Sequence, residues 1–119
     1  MRILLIGDQS LQNDAIKSIL SSEIGRKIWH LTHAQIQDGM TITKEFLVSL
    51  IDLVSFSEQP VEYVQYLKGK NLSKYLVVLH PPKHDGLNNA LVEAGADYCF
   101  SIDSEPEELI QTISQLVDK

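Results

Sequence analysis

Short apolar runs of strand length alternate with amphipathic runs of helical period along the whole chain, the pattern of a parallel sheet covered by helices on both faces. The pattern predicts five strand-helix rounds. The first pairs a strand over Arg2 to Ile6 with a helix that has Ser10 as N-cap and Leu11, Ala15, Ile16, Ile19 and Leu20 on one face, with Gly25 after its end. A second strand around Lys27 to Leu31 leads to a short helix from about His33 to Asp38, opened by Thr32 with Gln35 three residues on and closed by Gly39. The third strand is Phe46-Leu47-Val48-Ser49-Leu50-Ile51, and its helix turns Val61, Val64 and Leu67 inward and stops at Gly69. Tyr75 to Leu79 forms the fourth strand. The fourth helix, from about Gly86 to Ala94, spaces Leu87, Ala90, Leu91 and Ala94 at i, i+3, i+4 and i+7 between Asp85 and Gly95. Tyr98 to Ser101 makes a fifth strand. Ser104 and Glu107 form a capping box for a last helix with Pro106 in its first turn, burying Leu109, Ile110, Ile113, Leu116 and Val117.

This array is an α/β fold, a three-layer α/β/α sandwich of (βα)5 type with right-handed crossovers, occupying residues 1–119 as one domain without repeats or linkers. Periodicity leaves the strand order open. A chain of 119 residues with 44% hydrophobic and 22% charged residues can bury a real core. The formal charge of -6 argues against a binder of nucleic-acid phosphates, which needs a basic stripe to displace counterions. The single cysteine, Cys99, excludes an internal disulfide and any CxxC motif, so the expected location is the reducing cytoplasm. No apolar stretch approaches the roughly 20 residues of a bilayer span, and Met1-Arg2-Ile3 leads into strand-like sequence rather than a signal peptide.

Asp8 and Asp52 each stand just past an apolar run, where a buried strand passes into a loop. In an open parallel sheet, ligands bind beyond the carboxyl ends of the strands, so two acids delivered to that edge can share a cation or a phosphoryl group. Each also has a plain structural reading. Asp52 can simply begin a loop, and Asp8 can be an acid favoured at a helix N-terminus.

The succession of strand, Asp8, amphipathic helix and a strand ending Ile51-Asp52-Leu53, with Glu93-Ala94-Gly95-Ala96-Asp97-Tyr98 later on, resembles the receiver domain of two-component response regulators along essentially the whole length. The resemblance implies a flavodoxin-like fold with strand order 2-1-3-4-5. It places Asp52 on the position that accepts a phosphoryl group from a histidine kinase and Asp8 on the second acid of the pair that holds Mg²⁺, with Gly7 in place of the first acid. It also places His80 where the family has a hydroxyl residue, Cys99 on the switch aromatic, and Ile102-Asp103 on the family's Lys-Pro. The Met-Pro turn after the phosphoacceptor is replaced by Leu53-Val54.

Phosphoryl transfer is mostly positioning and charge stabilisation, so each lost charge weakens it. A unit charge about 4 Å away is worth on the order of 4 kcal/mol at an effective dielectric of about 20, and Ile102 supplies none where the family has a lysine. Fewer carboxylates also hold the strongly hydrated Mg²⁺ less well. Without a hydroxyl at position 80 and an aromatic at position 99, a switch lacks the differential contacts that distinguish its two states.

The other candidates are weaker. His80 reads either as a donor to a phosphate on Asp52, charging near pH 6.5, or as a solvated loop residue. His30 and His33 invite a metal reading that lacks cysteines or a helical i, i+4 pair to support it, and His84 stands apart from them. Cys99 reads as a small core residue without a basic neighbour to activate it. The acidic run Asp103, Glu105, Glu107 and Glu108 suits the start of the last helix, or an acidic rim that selects a basic partner.

The expectation is thus a cytoplasmic receiver-like signalling domain, not a self-sufficient enzyme, that works by protein recognition with weak or absent phosphorylation of Asp52 and at most weak Mg²⁺ binding by Asp8 and Asp52. The resemblance implies a histidine kinase or other signalling protein as partner, and a face made by the fourth helix, fifth strand and fifth helix that serves either docking or homodimerisation. A DNA-binding output domain would lie outside these residues. One alternative is a conventional phospho-accepting receiver using Asp52 and Mg²⁺. Another is a flavodoxin-like domain for a small ligand such as flavin or cobalamin, against which stand the loop Gly7-Asp8-Gln9-Ser10 and the lack of an Asp-x-His-x-x-Gly motif.

Overall fold

The first strand, β1 (Ile3–Ile6), is buried on both faces and divides its side chains between two cores. Leu4 and Ile6 enter one, and Ile3 and Leu5 enter the other. That division follows from the two-residue period of a strand at the centre of a covered sheet. The structure, a computed structural model, describes residues 3–8, 10–24, 28–37, 46–54, 59–70, 72–80, 87–101 and 106–118.

Five parallel strands, β1, β2 (Ile28–Leu31), β3 (Phe46–Asp52), β4 (Ser73–His80) and β5 (Tyr98–Ser101), pair in the order β2-β1-β3-β4-β5. Five helices connect them: α1 (Leu11–Ile24), α2 (His33–Gln37), α3 (Pro60–Gly69), α4 (Leu87–Ala94) and α5 (Pro106–Asp118). Ile36 of α2, Tyr63, Val64 and Leu67 of α3, and Leu91 and Ala94 of α4 cover one face of the sheet. Leu20 of α1 and Leu109, Ile113, Leu116 and Val117 of α5 cover the other. This is the α/β/α sandwich that the periodicity predicts, with the strand order that the receiver resemblance implies.

Local signals behave as their chemistry requires. Ser10 Oγ accepts a 3.1 Å hydrogen bond from Asn13 N, capping α1. In front of α2, Thr32 N donates to Gln35 Oε1 at 2.8 Å and Gln35 N donates to Thr32 Oγ1 at 3.2 Å, a reciprocal capping box. Gly95 ends α4 with φ of 129°: its N–H bonds to the Val92 carbonyl at 3.1 Å, and Ala96 N bonds to the Leu91 carbonyl at 3.0 Å, the two bonds of a Schellman end. Asp97 then returns to the sheet. Its N–H donates to the Leu76 carbonyl and its Oδ2 accepts from Leu76 N, both at 2.8 Å, so the Ala-Gly-Ala-Asp segment clamps α4 to β4.

One helical face differs from expectation. Ala15 is exposed and Ile19 is 38% exposed, while the inward stripe of α1 runs through Asn13, Ile16, Leu20 and Ile24. Placing a polar residue, Asn13, against the sheet rotates the helix away from the face that hydrophobicity alone selects. The helix-ending roles assigned to Gly25 and Gly39, the Ser104 cap, and the residues Asp85 and Gly86 lie outside the described residues.

Candidate functional site at the carboxyl edge of the sheet

The parallel register between β1 and β3 sets the site. Ile6 is opposite Ile51, so Gly7 and Asp52 leave the sheet side by side. The ladder continues past both strands, with Gly7 N bonded to the Leu31 carbonyl at 2.9 Å and Leu53 N to the Leu79 carbonyl at 2.8 Å. Asp52 is only 2% exposed, whereas Asp8 is exposed. The edge thus carries both predicted acids, but in different environments.

Among the described residues, two neutral donors bond to the Asp52 carboxylate. Oδ1 accepts from Val54 N at 2.8 Å, an Asx-turn-like bond two residues along the chain. Oδ2 accepts from Asn13 Nδ2 at 3.0 Å. The same Nδ2 donates at 2.7 Å to the main-chain oxygen of Asp8, so one fully buried amide joins the loops after β1 and β3. A Cβ on Gly7 would lie 2.8 Å from Asp52 Cβ and 2.9 Å from Asn13 Nδ2. Position 7 therefore has no room for a side chain.

On the opposite side of the Asp52 backbone, His33 Nε2 lies 2.9 Å from the Asp52 carbonyl oxygen and His33 Nδ1 lies 2.8 Å from Tyr63 Oη. Burial, the largest influence, holds this imidazole below its ordinary pKa, against the hydrogen bond to Asp52 and the carboxylates of Asp8 and Asp52, which pull it up. A carbonyl can only accept, so in the neutral ring Nε2 carries the proton and Nδ1 accepts from the Tyr63 hydroxyl. Burial likewise pushes the Tyr63 phenol up and keeps it protonated. His30 Nε2 lies 2.7 Å from the Gly7 carbonyl oxygen. Both histidines thus brace the loops, and no cluster of metal-ligating side chains occurs among the described residues.

His80 is not a solvated loop residue. Strand β4 continues through it to a register position opposite Ser101, which leaves it only 6% exposed. Cys99, opposite Val78, is half-buried and packs against the α3/α4 core, and burial pushes its thiol up to about 11. Ile102, Asp103, Glu105 and His84 lie outside the described residues; Glu107 and Glu108 are exposed in the first turn of α5.

No protein-family model matches the chain, and no curated protein matches it. Solved structures do. A response regulator receiver protein from Pseudoalteromonas atlantica superposes with a TM-score of 0.81 at 14% identity, over 99% of this chain and 98% of that one. The signal receiver domain of a DNA-binding response regulator from Colwellia psychrerythraea 34H gives 0.80 at 21% identity, over 100% and 99%. An orphan response regulator of H. pylori gives 0.77 at 17% identity, over 98% and 96%. The fold is that of a response-regulator receiver.

Within this receiver fold, the sequence reading missed Asn13, Tyr63 and the bracing role of His33. A polar residue three positions after a helix cap, in line with Ile16 and Leu20, was the available sign of Asn13. Tyr63 was concealed among the apolar positions of α3. The arrangement does not fit the Mg²⁺ that the receiver resemblance implies: Gly7 offers no carboxylate, Asp8 is exposed, and an amide N–H₂ occupies the space between the Asp8 carbonyl and Asp52 Oδ2.

Proposed function

We propose that this chain is a receiver-like signalling domain that acts by protein-protein recognition, with weak or absent phosphorylation of Asp52. The observation that carries this reading is the steric closure at position 7, where even a Cβ would collide with Asp52 at 2.8 Å. An acid pair therefore cannot form there around the present Asp52 position, and an ion that compensates the charge of an incoming phosphoryl group loses one of its anchors. The second predicted acid, Asp8, contributes its main-chain oxygen to the internal network.

Recognition without phosphorylation suits a partner that reads a constant surface. Val92 at 51% exposure and Tyr98 at 39% place apolar area on α4 and β5, and exposed acids stand at Glu93 in α4, at Asp97 just before β5 and at Glu107 and Glu108 in the first turn of α5. That face supports docking of a histidine kinase or another signalling protein, or pairing with a second copy of this chain. No helix among the described residues is long and apolar enough to cross a membrane. A cytoplasmic, non-enzymatic role with no resident cofactor belongs to the same proposal.

Incubation with acetyl phosphate and MgCl₂, followed by intact-mass spectrometry beside Asp52→Ala, tests it. The expected result is little or no Asp52-dependent phospho-form. A stable phospho-form in good yield would establish the conventional receiver instead, a reading favoured by the position of Asp52 at the end of β3.

A further inference from the structure

We propose that the Asn13 carboxamide is a built-in substitute for a divalent cation, and that Asn13 together with Gly7 makes this site cation-independent. The inference rests on the receiver-like reading of the carboxyl edge and concerns how that edge is held together. Its core is one geometric fact. Asn13 Nδ2 lies 2.7 Å from the Asp8 carbonyl oxygen and 3.0 Å from Asp52 Oδ2, bridging two oxygens from the loops that a cation at this edge would join.

The orientation of the amide follows from its neighbours. Turned over, it would set Oδ1 against a carbonyl and a carboxylate, oxygen to oxygen, so the donor end must face them. Asn13 is 0% exposed, and among the described residues its Oδ1 has no hydrogen-bond partner. A buried amide that leaves its acceptor unpaired is held by its donor end.

The backbone fixes the amide where it is needed. Ser10 caps α1 through Asn13 N, which sets the first helical turn against the edge. Gly7 then provides the space, because a Cβ there would come within 2.9 Å of Nδ2. Gly7 and Asn13 are therefore two parts of one device: the missing side chain at position 7 admits the amide from position 13. A carboxamide N–H₂ carries no formal charge and so, unlike a metal ion, only hydrogen-bonds to the carboxylate, but it is covalently attached and needs no cation to be dehydrated. Asp52 is consequently held in one geometry whatever the Mg²⁺ concentration.

The test is a MgCl₂ titration of the full chain followed by ¹H–¹⁵N NMR on wild type, Asn13→Asp and Asn13→Ala. In wild type, the Asn13 side-chain amide pair and the Val54 N–H are expected to show no saturable shift at millimolar Mg²⁺. Asn13→Asp replaces the donor with a carboxylate oxygen at the same place and should bind Mg²⁺ about tenfold more tightly or better, the scale on which single supporting groups change metal affinity. Asn13→Ala vacates the site and should give a smaller gain; in both variants the reporter is the Val54 N–H, since neither keeps the side-chain amide.

A saturable wild-type response in which the Asn13 amide pair and Val54 shift together would overturn the inference, as would a folded Asn13→Asp that is as blind to Mg²⁺ as wild type. If neither variant folds, the wild-type titration decides alone. Failure here is separable from failure of the functional reading. Wild type that binds Mg²⁺ yet takes no phosphoryl group removes the substitute-cation role only, whereas Asp52 phosphorylation with an unmoved Asn13 amide removes only the claim of weak phosphorylation.

Discussion

His33 donates a 2.9 Å hydrogen bond from Nε2 to the main-chain carbonyl oxygen of Asp52, so a side chain of α2 holds the backbone of the residue on which the site is centred. Tyr63 of α3 completes the connection at His33 Nδ1, 2.8 Å away, with the two rings edge to face at a centroid distance of 5.3 Å. The sheet edge, α2 and α3 are thereby joined by one neutral chain of hydrogen bonds.

That chain makes stability sensitive to mild acid. His33 has a folded pKa below its ordinary 6.5, chiefly through burial, so the unfolded chain binds its proton first. The stabilisation is complete above about pH 6.5 and is lost as pH falls from there through the lowered folded value. Urea unfolding of wild type between about pH 7 and pH 5 should show a midpoint that declines toward acid, with a shallower decline in His33→Gln. Equal slopes for the two proteins would refute this. His33→Ala, which deletes the ring and both bonds, should cost about 2–4 kcal/mol at neutral pH.

Gly7→Ala should destabilise the fold by about 1–3 kcal/mol, because the new methyl meets Asp52 Cβ at 2.8 Å, a contact that no flexible side-chain end can relieve. A double-mutant cycle with Asn13→Ala should leave most of that penalty in place, since the Asp52 collision survives loss of the amide. Denaturant midpoints measure both values. A neutral Gly7→Ala would show that the two loops separate more easily than their hydrogen bonds imply.

Cys99 should be a slow nucleophile. Burial raises its thiol from 9.0 to about 11, so at neutral pH its thiolate population is about 100-fold below that of an ordinary cysteine, and iodoacetamide should label the folded chain about that much more slowly than the urea-unfolded chain. Comparable labelling rates for the two states would contradict the half-buried placement of β5.

Much of the architecture was legible because it depends on local chemistry. Thr32 and Gln35 cap each other wherever a helix begins between them, and Gly95 ends α4 by adopting a φ that side chains disfavour. The apolar runs of Ile3–Ile6 and Phe46–Asp52, bounded by polar residues, specify strands buried on both faces. Both acids therefore reached the same edge, as their places after those strands required.

The meaning of those acids was decided only by tertiary structure. Their positions in the chain say that Asp8 and Asp52 share an edge, but not that Asp52 is buried and Asp8 exposed, nor that an amide five residues beyond Asp8 bridges their loops. The chain alone leaves His80 open between a phosphate donor and a solvated loop residue, because no local signal shows that β4 extends by one more pair to meet Ser101. Strand propensity, capping and hydrophobic period act over a few residues and are written in the chain itself. The contacts of Asn13 and His33 with Asp52 span 39 and 19 residues, and they exist only because packing two helices against a parallel sheet brings those side chains to one place.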